Sequence, residues 1–446
     1  MLIKKIDEYL NENTYPFHMP GHKRSKLLRN DLGYLRDFTE IEGLDNLNDP
    51  KEIFVKMQIA IAENYRVKDA IISTNGSTNG ILAAIRSLSK NNKNLLIERS
   101  SHKAVYNAAL INKCKLDYID IITDEVSAVA GIDYNVLENK LKNKSYGAVV
   151  VTSPSYEGYI LDLEKIYGIC QKYETKLFVD LAHGSHLYLN ELYKNSFDLA
   201  VTSFHKNLSA LTPSAALLVN DESLIGSLKE SMAIFQTSSP SYLILQSIDE
   251  MIENFDKFYG MMDDLNDNLD KLYDLKLKNL KLIDHKDKDR SKILISCKDT
   301  NINGVNLQEI LRNNKIEIEM AYPSYALLIA SIFDSEEAFK YLEKVLIKID
   351  KALLKGNNSY KFTYPKPIKK YELYEAYEKE KIMIKLENSV GHIAGEFIYA
   401  YPPGIPILTP GEIIDENTLA CLDFMKSKGR SLNIEDEISC LIDKSE

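Results

Sequence analysis

The chain has 446 residues, 45% of them apolar and 27% charged, with 55 basic against 65 acidic side chains and a net charge of −10. At roughly 100–200 residues per domain this is enough for two to four units, and the apolar share excludes disorder over most of the length. The acidic balance argues against a phosphate-neutralising nucleic-acid surface, which needs clustered excess base, while leaving room for a local cationic pocket.

The opening residues Met1–Leu10 have neither an apolar h-region nor a small-residue cleavage site, so no signal peptide is expected. No run approaches the ~18 apolar residues of a membrane span. The five cysteines (Cys114, Cys170, Cys297, Cys421, Cys440) lie singly, without CxxC. That pattern is expected of reduced or inert thiols in a cytoplasmic protein, and the missing span and acidic balance lead to no membrane or nucleic-acid partner being expected.

In chain order, Leu2, Ile3, Ile6 and Leu10 mark a short amphipathic helix. An irregular arm follows, carrying Phe17-His-Met-Pro-Gly-His-Lys23 and Asp37–Asn46. Apolar runs then predict strands at Ala70–Ser73, Asn94–Glu98, Leu116–Ile121, Ala148–Thr152, Lys176–Asp180, Leu199–Ser203 and Ala215–Val219. Helical periodicity lies between several of them, at Thr78–Lys90, after Ser101 and at Leu161–Tyr173. Apolar strands separated by helices imply βαβ units and a mostly parallel, seven-stranded sheet. Residues 240–280 read as one long helix or two. After the charged run His285–Arg290 the pattern restarts at Lys292–Ser296, Leu307–Asn313, Ile316–Met320 and Glu336–Ile349, and the prolines and glycine of Tyr399–Pro406 force an extended, turned path. The expected division is an arm at 1–50, a large domain at 51–284 and a smaller α+β domain at 285–446.

Four strand ends carry chemistry. Asp180 closes the run Lys-Leu-Phe-Val, and Lys206 follows the next strand in Ser203-Phe-His-Lys206. In an open parallel sheet the carboxyl ends of strands face the ligand crevice. A carboxylate and an amine there suit pyridoxal phosphate, which needs an amine for the Schiff base and an acid to keep its pyridine nitrogen protonated. Alone, the pair reads more simply as a turn-capping Asp and a surface Lys. Ile71-Ile-Ser-Thr-Asn-Gly-Ser-Thr-Asn-Gly80 runs from a strand through a polar turn into a helix, an anion site in which Ser77 and Thr78 are the natural donors, with Ser203 nearby. It is neither a Walker A loop nor GxGxxG, and the same residues suit a plain turn and cap. His102, in Ser100-Ser-His-Lys103, suits stacking on an aromatic cofactor and equally a satisfied polar role.

Metal chemistry is not expected. His18 and His22 are four apart and His183 and His186 three apart, but Pro20-Gly21 forbids a regular helix and no acid or thiol completes a zinc set. No Gly-x-Ser-x-Gly elbow is present.

The chain resembles the pyridoxal-phosphate-dependent ornithine/lysine/arginine decarboxylases of fold type I, the aspartate-aminotransferase-like architecture. The resemblance is carried by His18-Met-Pro-Gly-His-Lys23, Asp37-x-Thr-Glu40, Asn75-Gly-Ser-Thr78, Ser101-His-Lys103, Thr152-Ser-Pro-Ser-Tyr156, Asp180-x-Ala-His-Gly-Ser-His186, Ser203-Phe-His-Lys206, Gln236-Thr-Ser-Ser-Pro-Ser-Tyr242 and Tyr401-Pro-Pro-Gly-Ile-Pro406. It implies decarboxylation of lysine, arginine or ornithine to the amine and CO2 through an aldimine on Lys206. Asp180 would pair with the pyridinium, with Ala182 beneath the ring and His102 on its other face. Ser77, Thr78, Ser203 and His205 would ring the phosphate, and His183 would orient the cofactor hydroxyl or the substrate. It also implies a homodimer or dimer of dimers with the site at the subunit interface, where Thr237 and Ser238 would reach the neighbour's phosphate.

For the substrate, His18, His22 and Glu412 are the candidates, with Asp45 and Glu40 as further acids for its distal cation. The sequence departs from many relatives at Leu-Thr-Pro213 and at Asp45-Asn-Leu-Asn48. With the His-Met-Pro-Gly-His motif starting at residue 18, the family's N-terminal wing domain and ring-shaped assembly are not expected. Another fold-type-I enzyme (aminotransferase, aldolase or β-eliminase) and a catalytically inactive regulatory relative are the alternatives.

Overall fold

The computed structural model describes residues 1–12, 14–356, 364–401 and 404–442. The chain forms two compact units, one of Met1–Lys90 and Leu163–Met262, the other of Asn91–Asp162 and Asp263–Glu446. The seven strands of the main sheet run in the order Asp69–Ser73, Ala215–Val219, Leu199–Ser203, Lys176–Leu181, Ala148–Thr152, Asn94–Glu98, Lys115–Ile119. The mostly parallel seven-stranded α/β architecture expected from the apolar runs is therefore the one observed.

In the first unit Lys176–Leu181 and Leu199–Ser203 are parallel, with Asp180 opposite Val201. Ala215–Val219 runs antiparallel to both Leu199–Ser203 and Asp69–Ser73. Both parallel strands are almost wholly buried, which is why they read as unbroken apolar runs rather than as an alternation. The helix Gly76–Leu88 packs closely on this sheet because Gly80 has no side chain. A Cβ there would meet Val201 Cγ2 at 2.7 Å.

The helix Ile53–Asn64 is started by the arm. Asp45, itself in the left-handed region (φ 63°), accepts from the backbone N–H groups of Asn46, Lys51, Glu52 and Phe54 at 2.9–3.1 Å. Burial works to raise the Asp45 pKa, but these donors outweigh it and hold the carboxyl below its usual range. Residues 240–280 form two helices, Tyr242–Glu253 and Phe255–Tyr273, broken at Asn254.

In the second unit Asn94–Glu98 lies parallel to both Lys115–Ile119 and Ala148–Thr152. The strand expected over Leu116–Ile121 ends at Ile119. Ile121–Thr123 instead forms a hairpin with Val129–Ile132, because Asp124 accepts from Val126 and Ala128 N–H at 2.9 Å and turns the chain back. A four-stranded antiparallel sheet follows in the order Lys281–Ile283, Lys292–Ser296, Tyr325–Ile329, Met320–Tyr322. The strand expected at Ile316–Met320 thus begins only at Met320, where Tyr325–Ile329 supplies its partner. The helices Gly304–Asn313 and Glu336–Ala352 fall where the periodicity placed them. Pro402 and Pro403 of the Tyr399–Pro406 segment lie outside the described residues. The five cysteines are buried and not joined in disulfides, and no helix among the described residues is long and apolar enough to cross a membrane.

Candidate active site

The site is built at the carboxyl ends of the two parallel strands of the first unit. Asp180, 3% exposed, is the penultimate residue of Lys176–Leu181, and its carboxylate accepts from Ala182 N–H at 3.0 Å. The backbone then turns through a Gly184 N–H to Leu181 carbonyl bond of 2.8 Å, which carries buried His183 round towards the neighbouring strand. That strand, Leu199–Ser203, continues directly into a single helical turn, Phe204–Asn207, bearing His205 and Lys206. Lys206 Nζ and His183 Nε2 lie 2.9 Å apart. The acid and the amine thus lie at the ends of adjacent parallel strands, and the imidazole three residues after the acid touches the amine.

Beside them is a cradle of hydrogen-bond donors. Ser203 Oγ is buried with no hydrogen-bond partner. His205 Nδ1 is 2.9 Å from the Ser214 carbonyl, so this nitrogen carries the proton and Nε2 is left bare. Burial, reinforced by the Lys206 charge and opposed by the Ser214 hydrogen bond, pushes the His205 pKa below its ordinary value. The helix Gly76–Leu88 starts without a side-chain cap from Asn75, with Ser77 half-buried and Thr78 exposed in its first turn. Gly76 (φ +74°) donates its N–H to the Pro213 carbonyl at 3.1 Å, and a Cβ at Gly76 would touch Pro213 Cβ at 3.3 Å. An uncapped helix start and an unmatched buried hydroxyl fit a phosphate group, each offering a proton to its oxygens.

The remaining predicted residues are placed as follows. His102 belongs to the second unit. It is exposed and caps the helix Lys103–Ile111, its Nδ1 accepting from Ala104 N–H at 3.2 Å. On the arm, His22 is bound on both nitrogens, to Asp37 at 3.1 Å and to Arg24 N–H at 3.0 Å, while His18 bonds Tyr9 Oη at 3.0 Å and the Met19 carbonyl. Thr237 and Ser238 are exposed beyond the helix Ile225–Phe235. Asn48 holds that loop, donating to the Thr237 and Ser238 carbonyls at 3.3 and 3.4 Å and accepting from Gln236 Nε2 at 3.1 Å. The departure at position 48 therefore makes a neutral amide the fastener of this loop.

Glu412 is 1% exposed, and its charge is already met. Arg99 donates to both carboxylate oxygens at 2.7 and 2.9 Å and to the Ile407 carbonyl at 2.9 Å, and its guanidinium lies 4.7 Å from the centre of the Tyr118 ring. Sequence reasoning missed Arg99 although it directly precedes the Ser100-Ser-His-Lys103 motif, because its partner is 313 residues away. Breaking a buried pair leaves an uncompensated charge, so Arg99→Ala should destabilise the fold by about 3–5 kcal/mol in urea unfolding. Adding Glu412→Gln to it should restore part of that loss.

Residues 1–279 match the model of the Orn/Lys/Arg decarboxylase major domain, and residues 360–433 match that of the Orn/Lys/Arg decarboxylase C-terminal domain. An arginine decarboxylase of Halalkalibacterium halodurans is 29% identical over 451 residues, covering 94% of this chain and 92% of that protein. The fold is shared with the constitutive lysine decarboxylase of Escherichia coli, at TM-score 0.84 and 16% identity over 99% of this chain and 82% of that one. It is shared less fully with SPT in a structure with its PLP internal aldimine, at TM-score 0.55 and 12% identity over 70% of this chain and 81% of that one.

Proposed function

Because the chain belongs to the Orn/Lys/Arg decarboxylase family, we propose that it is a pyridoxal-phosphate-dependent decarboxylase that converts lysine, arginine or ornithine to the corresponding amine and CO2. The observation that carries this reading is the 2.9 Å contact between Lys206 Nζ and His183 Nε2, beside buried Asp180 on the adjacent parallel strand.

Each residue has work that follows from its chemistry. Lys206 supplies the amine for covalent attachment. A free lysine amine is almost wholly protonated at neutral pH, and only the neutral form is a nucleophile. His183 Nε2 is within hydrogen-bond reach of that proton and is positioned to accept it. Asp180 keeps a proton on the pyridine nitrogen by holding a negative charge where water is excluded. Ser77, Thr78, Ser203 and His205 take the phosphate, and Ala182 packs beneath the ring. Pyridoxal phosphate, when bound, supplies the electron sink for the pair left behind as CO2 departs. The site lies at the interface of a homodimer, where Thr237 and Ser238 reach the neighbour's phosphate.

The arm's His18 and His22 border the substrate. Its distal cation needs a carboxylate. Asp45 is committed to the helix start and Glu412 to Arg99, whereas half-buried Glu40 keeps one buried oxygen, Oε2, without a hydrogen-bond partner. Of these acids Glu40 is the one with an oxygen still open to a cationic side chain. The test is a panel of lysine, arginine and ornithine supplied with pyridoxal phosphate. CO2 and the matching amine should form from at least one of them, and formation of an α-keto acid without CO2 would overturn the reading in favour of transamination.

A further inference from the structure

We propose that Asn48 is a positioning residue, whose side-chain amide sets the loop 236–240 so that the Thr237 hydroxyl is presented to a phosphate. Its role rests on the proposed function, in which Thr237 and Ser238 reach that group. The loop joins the helix Ile225–Phe235 to the helix Tyr242–Glu253, and residues 236–241 form neither helix nor strand. Thr237 and Ser238 are exposed in it. Thr237 Oγ1 accepts from Ser239 N–H at 3.2 Å, a local bond that fixes the oxygen and leaves the hydroxyl its own proton to give.

One amide reads the backbone on both sides of the Thr237–Ser238 peptide. Asn48 Nδ2 donates to the Thr237 and Ser238 carbonyls at 3.3 and 3.4 Å, and Oδ1 accepts from Gln236 Nε2 at 3.1 Å. An amide nitrogen has two protons, so both carbonyls can be served at once. The base from which Asn48 reaches is itself fixed. Its N–H bonds Asn46 Oδ1 at 2.9 Å, and Asn46 N–H bonds the Asp45 carboxylate that also starts the helix Ile53–Asn64. Tyr242, wholly buried, donates its hydroxyl to the Asp45 carbonyl at 2.6 Å and meets the Phe54 ring edge-on, 5.9 Å between centres. The turn 45–48 therefore grips the loop at its entry through Gln236 and just past its exit through Tyr242. Fastening an irregular loop in this way removes its alternative paths before a ligand arrives. The task calls for a neutral amide. A carboxylate at position 48 would still accept from Gln236, but it would set a negative charge against two carbonyl oxygens.

The experiment titrates pyridoxal phosphate onto the full chain and reads its absorbance change, for the wild type, Asn48→Ala and Asn48→Asp, at pH 8 and at pH 5. Asn48 is exposed, so both variants should keep the wild-type circular dichroism spectrum. At pH 8 each should bind the cofactor about tenfold more weakly than the wild type, the scale of losing a few hydrogen bonds. At pH 5 the aspartate variant should recover towards the wild type measured at the same pH, because the two carbonyls favour its protonated form, which donates again. The alanine variant should not recover. A loss of packing alone would leave the two variants alike at both pH values, and that result would overturn the positioning role. So would variants that bind pyridoxal phosphate as tightly as the wild type. Amine formation by the wild type is scored separately. A wild type that takes up no pyridoxal phosphate overturns the proposed function and the role of Asn48 together, whereas unchanged binding by the variants of a wild type that decarboxylates overturns the role of Asn48 alone.

Discussion

Lys206→Ala should abolish amine formation, lowering turnover at least about a thousandfold, the scale expected when the group that makes the covalent bond is removed. Lys206→Arg should be as inactive as the alanine variant. Arginine keeps the positive charge but cannot be deprotonated in a protein, so it cannot attack a carbonyl. The pair of variants separates two roles for the side chain. If Lys206 served only as a cation beside His183, arginine would rescue it. As the attacking amine, it has no substitute among the natural side chains at this position. Borohydride treatment offers a second readout: the wild type should fix pyridoxal phosphate irreversibly, and neither variant should. Turnover above a hundredth of wild type in Lys206→Ala would remove this residue from the chemistry.

The next largest effect is expected at Asp180. Removing one partner of a buried charge pair typically costs ~3–5 kcal/mol, about two to three decades in a rate that depends on it. Asp180→Ala should therefore lose most activity. Asp180→Asn is the sharper variant, because the amide oxygen can still accept from Ala182 N–H, which is 3.0 Å away in the parent. The local turn is preserved while the negative charge is lost. Both variants should show kcat reduced by a similar factor with thermal unfolding of the asparagine form near wild type. An asparagine variant within tenfold of wild type would mean that the charge is not what the reaction uses.

The parts of this molecule that were legible in the sequence are those set by local pattern. Leu199–Ser203 and Ala215–Val219 were found at their observed bounds because strands buried on both faces leave continuous apolar runs, and Lys206 stands immediately after one of them. The hairpin at Ile121–Ile132 was not legible. It depends on one carboxylate, Asp124, satisfying two N–H groups, and the apolar pattern simply runs on through the break at Asp120. The acids were the least legible. Asp45, Glu40 and Glu412 look alike as residues, and what separates them is whether a backbone amide, an arginine or nothing occupies their oxygens. That is a matter of three-dimensional neighbours, which spacing along the chain does not record. His102 had two readings in the sequence, and the structure gives its Nδ1 a definite helix-capping bond while leaving the ring exposed.

The bond from Gly76 N–H to the Pro213 carbonyl has a mechanical consequence. It buttons the turn that opens the helix Gly76–Leu88 to the loop that follows Lys206, and the tight approach of the two residues leaves no slack between them. The helix start and the Lys206 loop are thereby held at a fixed span, so a phosphate and an amine proposed for them would be preorganised. Loosening that button, for instance by giving position 76 a side chain, would cost both ends their alignment together.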